Sequence, residues 1–496
     1  MPDLLTRLNS YKHFTALVVG DFMLDQQIYG AAERLSPDAP VPVLAQARQE
    51  NTPGGAANVA LCIKALKGDV LCFGVIGADH EGEILRKALR DGGCDIAGLV
   101  QDDSRPTTIK RSLIGLAQHR HPQKMFRVDV ESREPLNDRI REKLLAMIEQ
   151  RINAADVVCM EDYNKGVCGD EVAKKIVEIC RRKNKPLLVD PAAIENYAKY
   201  AGATVITPNR SEAELATGLD TPLDATELHN AGLATKLLKE HKFEAVVLTL
   251  DRHGALLEER GGDPILVPTV ARQVYDVTGA GDMVLAALAG AVANGFPWLD
   301  AVKFANAAAG LEVEVFGCRP IPLPSVIREV LAQQRSLKGK VRTLDELLIE
   351  VAAHREHGDK VVFTNGCFDV IHAGHVAYLR EARQQGDVLV VAINDDEQVR
   401  LQKGEGRPIY TAEERLEILS ELMCIDYLLV FYEPTVDELL KSIMPDVLVK
   451  GGDYAPEEIN EYELVKKLGL DLRILTHRPG LGSTDVIDRM VRTAAR

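Results

Sequence analysis

Two imidazoles follow a short apolar run and a glycine turn near residue 370. His372 and His375 are three residues apart, at the start of a helix-prone run over residues 373–382. At the amino end of a helix, unpaired backbone N–H groups and the positive end of the dipole favour phosphate. We therefore interpret the pair as donors to nucleotide phosphates. The spacing alone leaves zinc ligation and a purely structural role open.

A second glycine turn carries a carboxylate in place of imidazoles. It consists of Thr278, Gly279, Ala280, Gly281 and Asp282, and a helix-prone run begins at Ala280. Amides of that helix can hold a transferring phosphoryl group while Asp282 takes a proton from an alcohol. The alternative is a tight turn with a helix-capping aspartate. Two phosphate-handling turns in one chain predict two reactions.

Three further segments carry polar groups that can serve the second turn. Gly54 and Gly55 precede Asn58 at a helix start, where a polyhydroxy ligand can approach the backbone. Asp21 directly follows the first strand-like run and can accept from sugar hydroxyls, or it simply ends the strand. The segment 209–212 places Asn209 and Glu212 on one helix face, which fits Mg²⁺-bound phosphates and a capping box equally well.

Two late segments can complete the histidine site. Lys403 and Arg407 flank a glycine-rich loop, and Ser483 and Thr484 precede the last helix-prone run. Each has an ordinary alternative, a solvated charged turn for the first and a helix cap for the second. Together with the histidines they predict one phosphate pocket.

The composition limits the functional classes. The 496 residues carry a net charge of -15, which gives no broad basic surface for nucleic acid. Nine cysteines without a CxxC pair, together with the lack of an apolar run long enough to span a bilayer, predict a reduced cytoplasmic protein. We therefore expect neither DNA nor RNA, because of the charge, nor a membrane, because of the missing apolar run, as a partner. The chain is too long for one core, so several domains are expected.

The positions of strand-like and helix-prone runs predict two α/β domains. Near-continuous apolar runs alternate with helical ones from about Phe14, which indicates a parallel sheet covered on both faces. The intervals 29–43 and 107–130 have short β-prone pieces and predict a flap over a site. The proline-rich segment 319–324 marks a boundary. We predict a domain at 1–320, a linker at 321–342 and a domain at 343–496.

Residues 10–318 resemble the ribokinase family of carbohydrate kinases. The resemblance rests on the motifs at 54–58, 161–166, 209–212 and 276–282. It implies a doubly wound sheet with a β flap, Asp282 as catalytic base, and a Mg–ATP site in which Glu212 contacts Mg²⁺ indirectly. The implied ATP-binding residues are Asn209, Arg210, Ser211, Glu212, Thr278, Gly279, Ala280 and Gly281. The implied sugar-binding residues are Asp21, Gly54, Gly55, Asn58, Asn164 and Lys165.

The chain departs from that family at one position. Relatives usually read Asp-Pro-Lys where this chain has Asp190, Pro191 and Ala192, so a cation expected near the site is missing. Candidate replacements for a phosphorylated sugar are Lys110, Arg111, Lys124 and Lys165.

Residues 343–496 resemble the cytidylyltransferase-like nucleotidyl transferases. Their HxGH motif is matched at 372–375 and their late Ser-Thr motif at 483–484. The resemblance implies a smaller Rossmann-like domain in which a substrate phosphate attacks the α-phosphate of a nucleotide, with His372 and His375 as catalytic residues. The implied nucleotide-binding residues are Thr364, Asn365, Gly366, Cys367, Phe368, Lys403, Arg407, Ser483 and Thr484.

The order of the two domains is similar to that of the bifunctional heptose-phosphate kinase and adenylyltransferase enzymes. This implies ATP and phosphorylated heptose as substrates, Mg²⁺ as cofactor, and a homodimer formed through the flap. Two alternatives stay open: a different sugar kinase joined to a cytidylyl or guanylyl transferase, and a nucleotide-sensing regulator with inactive sites.

Overall fold

The computed structural model describes residues 4–116, 122–222, 226–269, 278–314, 317–452 and 455–475. It divides into two compact units, Ser10–Glu329 and Val330–Arg496 together with Met1–Asn9. Helix α1, Leu4–Asn9, buries Leu4 and Leu8, which lie one turn apart on the same face. The sequence predicts a first domain that begins at residue 1, whereas helix α1 packs within the second unit.

The first unit, called the kinase unit below, alternates strands with helices. Its strands are β1 Phe14–Gly20, β2 Phe22–Leu35, β3 Pro42–Gly55, β4 Gly68–Gly77, β5 Asp95–Asp102, β6 Thr108–Leu116, β7 Gln123–Val130, β8 Val157–Glu161, β9 Leu187–Asp190, β10 Val205–Ile206, β11 Ala245–Thr249, β12 Ala255–Glu259 and β13 Ile265–Val267. Its helices are α2 Ala56–Ala65, α3 His80–Asp91, α4 Asp138–Arg151, α5 Asp170–Arg182, α6 Arg210–Thr217, α7 Glu227–His241, α8 Ala280–Ala293, α9 Trp298–Glu312 and the first part of α10 Leu323–Lys338.

Nine strands form the main sheet in the order β13-β12-β11-β10-β9-β8-β1-β4-β5. The strands from β11 to β5 in this order are parallel, and β12 and β13 are antiparallel. Six of the seven residues of β1 are buried, as expected for a strand covered by helices on both faces. The doubly wound sheet predicted from the sequence is confirmed. Parallel pairing brings the carboxyl ends of β1, β8 and β9 to one edge.

A second sheet of four strands, in the order β3-β2-β6-β7, forms the flap. Strands β2 and β3 form a long antiparallel hairpin, and β6 pairs parallel to β2. The described residues of the intervals 29–43 and 107–130 lie mostly within the strands of this sheet. Many of its outward side chains are exposed, which explains why the sequence there shows neither a helical nor a core-strand pattern.

The second unit, called the transferase unit below, has a smaller sheet with strands β14 Val361–Gly366, β15 Val388–Asn394, β16 Tyr427–Phe431, β17 Val447–Gly451 and β18 Asp471–Leu475. Its other helices are α11 Leu344–His357, α12 Ala373–Arg383, α13 Asp396–Lys403, α14 Ala412–Ser420, α15 Asp437–Ile443 and α16 Tyr462–Leu468. All five strands are parallel, in the order β16-β15-β14-β17-β18. The chain therefore reverses direction across the sheet between β14 and β17, which is where such folds hold ligands.

Within the described ranges, none of the helices combines the length and the apolar character that a bilayer crossing needs. All nine cysteines are free thiols, and six of them are buried. The six buried thiols pack as small apolar side chains.

Candidate active sites

Asp282 lies in the first turn of α8 and is almost completely buried, at 3% exposure. Its Oδ2 accepts from Asn58 Nδ2 at 2.7 Å, and its Oδ1 accepts from the Tyr163 hydroxyl at 3.1 Å. Gly279 before the helix has φ 96°, and a Cβ there would lie 2.6 Å from Glu312 Oε1 and 3.1 Å from Asn58 Nδ2. Glycine is therefore needed to bring the helix start against the group that holds the carboxylate.

Burial raises the pKa of Asp282 to about 6, even though the hydrogen bonds from Asn58 and Tyr163 and the charge of Lys110 favour the carboxylate. The charge of Asp282 in turn raises the pKa of Tyr163 well above its usual range, so the phenol stays protonated and donates. A carboxylate with a pKa near 6 is ionised at neutral pH and is a stronger base than an exposed aspartate. The geometry fits the predicted role of Asp282 as a base.

The two predicted glycines precede α2. Gly55 has φ 54°, and a Cβ on Gly54 would lie 2.6 Å from the carboxylate of Asp25. Asn58 lies in the first turn of α2 and is buried. Gly54 is thus required by the close approach of Asp25, and the predicted approach of a sugar to Gly54 and Gly55 stays a prediction.

Asp21 is buried, and its carboxylate is used by the backbone of the loop that follows β8. It accepts from the N–H groups of Tyr163 at 2.8 Å, Lys165 at 3.0 Å and Val167 at 3.3 Å. Burial and the charge of Asp162 raise the pKa of Asp21 to about 6. In this structure Asp21 orders the loop that presents Tyr163, and its contact with sugar stays a prediction.

Asn164 and Lys165 lie on the same loop. Asn164 has φ 57°, and its backbone N–H donates to Asp162 Oδ1 at 2.8 Å. Lys165 Nζ lies 2.5 Å from Glu131 Oε2. Lys165 is thus already neutralised by Glu131, while sugar binding by either residue remains untested.

Three carboxylates converge where β8, β9 and α8 meet. Ligand atoms of Glu161, Asp190 and Asp282 all lie within 4.8 Å of one another. Burial and the charge of Asp190 raise the pKa of Glu161, and burial and the charge of Glu212 raise the pKa of Asp190. Oε2 of Glu161 is buried without a hydrogen-bond partner among the described residues. Oxygen donors under mutual repulsion fit a divalent cation.

Asn209 and Glu212 form a capping box at the start of α6. The backbone N–H of Asn209 donates to Glu212 Oε2 at 2.8 Å, and that of Glu212 donates to Asn209 Oδ1 at 3.0 Å. The structure therefore shows the capping box, which was one of the two interpretations of this spacing. Because the charge of Glu212 raises the pKa of Asp190, Glu212 lies beside the carboxylate cluster. Ser211 is exposed, and Arg210 is half-buried.

The sequence did not single out two charged residues that line a cavity of about 340 Å³ between the flap and the start of α8. These are Asp25 and Arg127. Oδ1 of Asp25 is buried and lacks a hydrogen-bond partner among the described residues. Asp25 could not be predicted from the sequence, because it lies within a strand and belongs to none of the motifs. The lining residues are Asp25, Gln26, Gln27, Thr52, Lys110, Ser112, Lys124, Met125, Phe126, Arg127, Thr278, Gly317 and Cys318.

Two of the cations suggested as replacements for the missing lysine, Lys110 and Lys124, line this cavity together with Arg127. Lys110 Nζ also lies 4.2 Å above the ring of Tyr163. Burial raises the pKa of Asp25, and the charges of Lys110, Arg127 and Lys124 oppose that rise. Arg111 instead donates to Gln26 Oε1 at 2.8 Å.

In the transferase unit, the two histidines have different surroundings. His372 is the N-cap of α12, where its Nδ1 accepts from the N–H of Gly374 at 3.1 Å. His375 lines a cavity of about 700 Å³ at the carboxyl edge of the sheet. The two ring centroids are 3.9 Å apart. The ring of His375 is therefore the one placed in the cavity, and His372 supports it from the helix start.

Residues from both sides of β14 line the same cavity: Asn365, Gly366, Cys367, Phe368, Asp369, His375, Asn394, Gln402, Lys403, Arg407, Lys450, Gly451, Glu458, Ile459, Asn460 and Glu461. Most of the predicted nucleotide-binding residues are among them. Thr364 is not, because it is completely buried and its hydroxyl lies 2.7 Å from that of Tyr378. The sequence did not single out Lys450, because a lysine at the end of an apolar strand has no distinctive pattern.

Arg407 is paired with Asp369, which also accepts from the N–H of Ile409 at 2.5 Å. Asp369 thereby fixes the loop that carries Arg407. The predicted Ser483 and Thr484 lie outside the described residues, as do residues 276–277 of the kinase motif.

The fold and the two sites define an enzyme with a carbohydrate kinase unit ahead of a nucleotidyltransferase unit. Residues 15–325 match the family model described as pfkB family carbohydrate kinase, and residues 363–489 match the one described as cytidylyltransferase-like.

Curated relatives match nearly the whole chain. The bifunctional protein HldE of Geobacter metallireducens is 40% identical over 481 residues, which cover 97% of this chain and 96% of the relative. That of Pseudomonas paraeruginosa is 41% identical over 475 residues, covering 96% of each. The chain belongs to this family of bifunctional HldE proteins and has both activities.

Solved structures support the fold of the kinase unit. Arabidopsis thaliana ribokinase complexed with ribose and ATP is 22% identical with a TM-score of 0.51, covering 64% of this chain and 99% of its own. Escherichia coli phosphofructokinase-2 in complex with potassium is 18% identical with a TM-score of 0.53, covering 65% and 99%.

Proposed function

We propose that the kinase unit transfers the γ-phosphoryl group of ATP to the anomeric oxygen of heptose 7-phosphate. After a separate phosphatase has removed the 7-phosphate, the transferase unit moves AMP from a second ATP to heptose 1-phosphate and releases pyrophosphate. The product is ADP-heptose for the inner core of lipopolysaccharide. Nearly full-length identity to bifunctional relatives supports two linked activities in one chain.

In the kinase reaction, Asp282 takes the proton of the anomeric hydroxyl as that oxygen attacks the γ-phosphorus. Asn58 and Tyr163 hold the carboxylate in place, and amides at the start of α8 stabilise the charge on the transferring phosphoryl group. The observation that carries this mechanism is the buried carboxylate of Asp282, at a helix amino end and with a pKa raised to about 6.

The cavity under the flap suits a phosphorylated sugar. Asp25 brings a buried acceptor for sugar hydroxyls, while Lys110, Lys124 and Arg127 bring positive charge for the phosphate at the far end of the substrate. In this proposal Lys110, Lys124 and Arg127 supply the positive charge that the family resemblance leads one to expect from a lysine at the position of Ala192. Because the cations come from β6 and β7, the flap itself selects a phosphorylated substrate.

The carboxylate cluster is the candidate site for Mg²⁺ that accompanies ATP. Glu161 and Asp190 would hold the ion, and Glu212 lies beside them. A bound Mg²⁺ neutralises phosphate charge during transfer. Burial and neighbouring carboxylates raise the pKa of Glu161 and Asp190, and a bound cation would favour their ionised forms.

In the transferase reaction, a phosphate oxygen of the sugar 1-phosphate attacks the α-phosphorus of ATP in line, and pyrophosphate leaves. His375 and the amides at the start of α12 stabilise the charge on the α-phosphate. The attacking oxygen is already anionic, so this step needs no general base. Lys403 and Arg407 contribute further positive charge at the other wall of the cavity.

We also propose that the protein works in the cytoplasm, where ATP is supplied, as a homodimer formed through the flap. Large apolar side chains of the flap are exposed, including Leu35, Val41 and Phe126. Exposed apolar side chains on the strands of the flap and on the turn between β2 and β3 support a protein contact there. Sedimentation equilibrium of the wild-type protein and of Phe126→Ser tests the dimer, because a monomeric wild-type protein would contradict it.

The two reactions are tested by ³¹P NMR of the products. Heptose 7-phosphate with Mg–ATP should give ADP and an anomeric phosphate, and heptose 1-phosphate with Mg–ATP should give ADP-heptose and pyrophosphate. CTP and GTP are supplied in parallel as alternative donors. Faster pyrophosphate release with CTP or GTP, or phosphorylation of a different sugar in preference to heptose 7-phosphate, would overturn the proposal in favour of another pairing of activities.

A further inference from the structure

Lys450 is a partly buried cation at the carboxyl end of β17. Its side chain is 17% exposed, and its Nζ donates to Asn365 Oδ1 and to Glu461 Oε1, both at 2.7 Å. Asn365 lies at the carboxyl end of β14, so Lys450 bridges the two strands between which the sheet reverses its order. In parallel α/β sheets the ligand lies in the crevice at that position.

Lys450 differs from the other side-chain cations of this cavity. Lys403 is exposed at the end of α13, and Arg407 is held by Asp369. The ammonium of Lys450 is positioned by two partly buried acceptors, and its third N–H has no partner among the described residues. It lines the same cavity as His375. A cation fixed in this way binds an anion with little further loss of side-chain entropy.

The adenylyl transfer brings two anions together. ATP carries Mg²⁺ to its triphosphate, whereas the attacking sugar phosphate brings no cation of its own. A cation of the protein at the point of attack would offset the repulsion between the attacking phosphate and the α-phosphate.

Resting on the adenylyl transfer proposed above, we propose that Lys450 binds the phosphate group of the acceptor sugar phosphate and directs it to the α-phosphorus. During the step, an acceptor phosphate oxygen forms the new bond to phosphorus while the bond to pyrophosphate breaks. No proton moves. Asn365 and Glu461 hold the ammonium in place, and Glu461 balances its charge while no acceptor is bound.

The test compares Lys450→Met with Lys450→Arg in the full-length chain, with ATP and heptose 1-phosphate varied separately. For Lys450→Met we expect KM for heptose 1-phosphate to rise at least about 30-fold while KM for ATP stays within about 3-fold. Lys450→Arg should recover most of the lost affinity, because the charge is restored. Lys441→Met removes an exposed lysine of the same unit on α15 and should leave both constants unchanged.

Glu461→Gln separates substrate binding from a purely structural ion pair. If Lys450 binds the acceptor, Glu461→Gln keeps the cation and a hydrogen-bond acceptor for it, so KM for heptose 1-phosphate rises clearly less than in Lys450→Met, by no more than about 10-fold. If the pair only holds the loop at 455–461, both single variants lose activity and thermal stability alike, and the inference is overturned. Should Lys450→Met fold poorly, the double variant with Glu461→Gln removes both charges and leaves no buried charge unpaired.

A rise in KM for ATP with an unchanged acceptor KM would instead assign Lys450 to the nucleotide and overturn the inference. Failure of the proposed function is distinguishable from failure of the inference, because the wild-type protein itself would then release no pyrophosphate with heptose 1-phosphate. Calorimetric titration with heptose 1-phosphate then decides about Lys450. Binding by wild type but not by Lys450→Met supports the acceptor site, and equal or absent binding in both overturns it.

Discussion

Asn58 and Asp282 are 224 positions apart in sequence, yet Asn58 Nδ2 donates to Asp282 Oδ2 at 2.7 Å. The contact joins the first turns of α2 and α8, which pack against each other. With Tyr163 on the other carboxylate oxygen, Asp282 is held by a separate donor on each side. Its orientation is thus set before any substrate binds.

Asp282→Asn should abolish the kinase reaction while leaving adenylyl transfer within about 3-fold of wild type. The amide cannot accept the proton of the attacking hydroxyl, whereas the transferase unit has its own core and site. Coupled assays of ADP and of pyrophosphate release, run on one preparation, measure both activities. Sugar phosphorylation near the wild-type rate would contradict the assignment of Asp282 as base.

His375→Ala should give the opposite pattern, with adenylyl transfer reduced by about 10²-fold or more and the kinase unaffected. The imidazole lines the cavity, and alanine leaves the charge on the α-phosphate without that donor. The same two assays measure the outcome. His357→Ala, on α11 of the same unit and outside the cavity, is the control and should retain both activities.

Tyr163→Phe should move the acidic limb of the kinase pH profile upward. Asp282 must be ionised to act as a base, so kcat/KM falls as the pH drops through about 6. The Tyr163 hydroxyl stabilises the ionised form, and its loss raises the pKa of Asp282 further. Measuring kcat/KM between pH 5 and 8 at intervals of about half a pH unit, for wild type and Tyr163→Phe, tests the shift of the acidic limb. An unchanged limb would show that Tyr163 does not act on the base.

The kinase unit should lose stability as the pH rises from about 4 to about 6. Asp21 and Asp282 have folded-state pKa values of about 6 against an ordinary value of 3.8, so the folded state binds protons more tightly. This stabilisation is fully present below the ordinary pKa and is lost as the pH rises through the folded one. Denaturant unfolding of wild type and Asp282→Asn across this range measures it, and the variant should show the weaker dependence.

Arg415→Met should destabilise the transferase unit by about 3 kcal/mol and reduce adenylyl transfer. Arg415 is completely buried and donates to the carbonyls of Cys367 at 2.6 Å and Asn394 at 2.8 Å. Methionine leaves these carbonyls without their donor, and the turn after β14 loses its support. Thermal unfolding and pyrophosphate release measure the two effects. Arg473→Met, an exposed control on β18, should change neither.

The amino-acid sequence by itself determined the two α/β units, the flap, and the turns at 278–282 and 365–375. These features depend on local order: apolar runs form buried parallel strands, and glycines followed by helix-prone residues place helix starts at the sheet edge. The motif resemblances added the two activities, because the residues of each motif are close together in the chain.

Only the tertiary structure decided which side chains meet. Asp25, Arg127 and Lys450 carry no local pattern, and their cavities arise from strands and loops that are distant in sequence. The structure also shows that residues of the same type have different roles. Asp21 orders a loop, whereas Asp25 faces the cavity; His372 caps α12, whereas His375 lines the site. Burial and long-range contacts set these differences, and neither is encoded in the spacing of neighbouring residues.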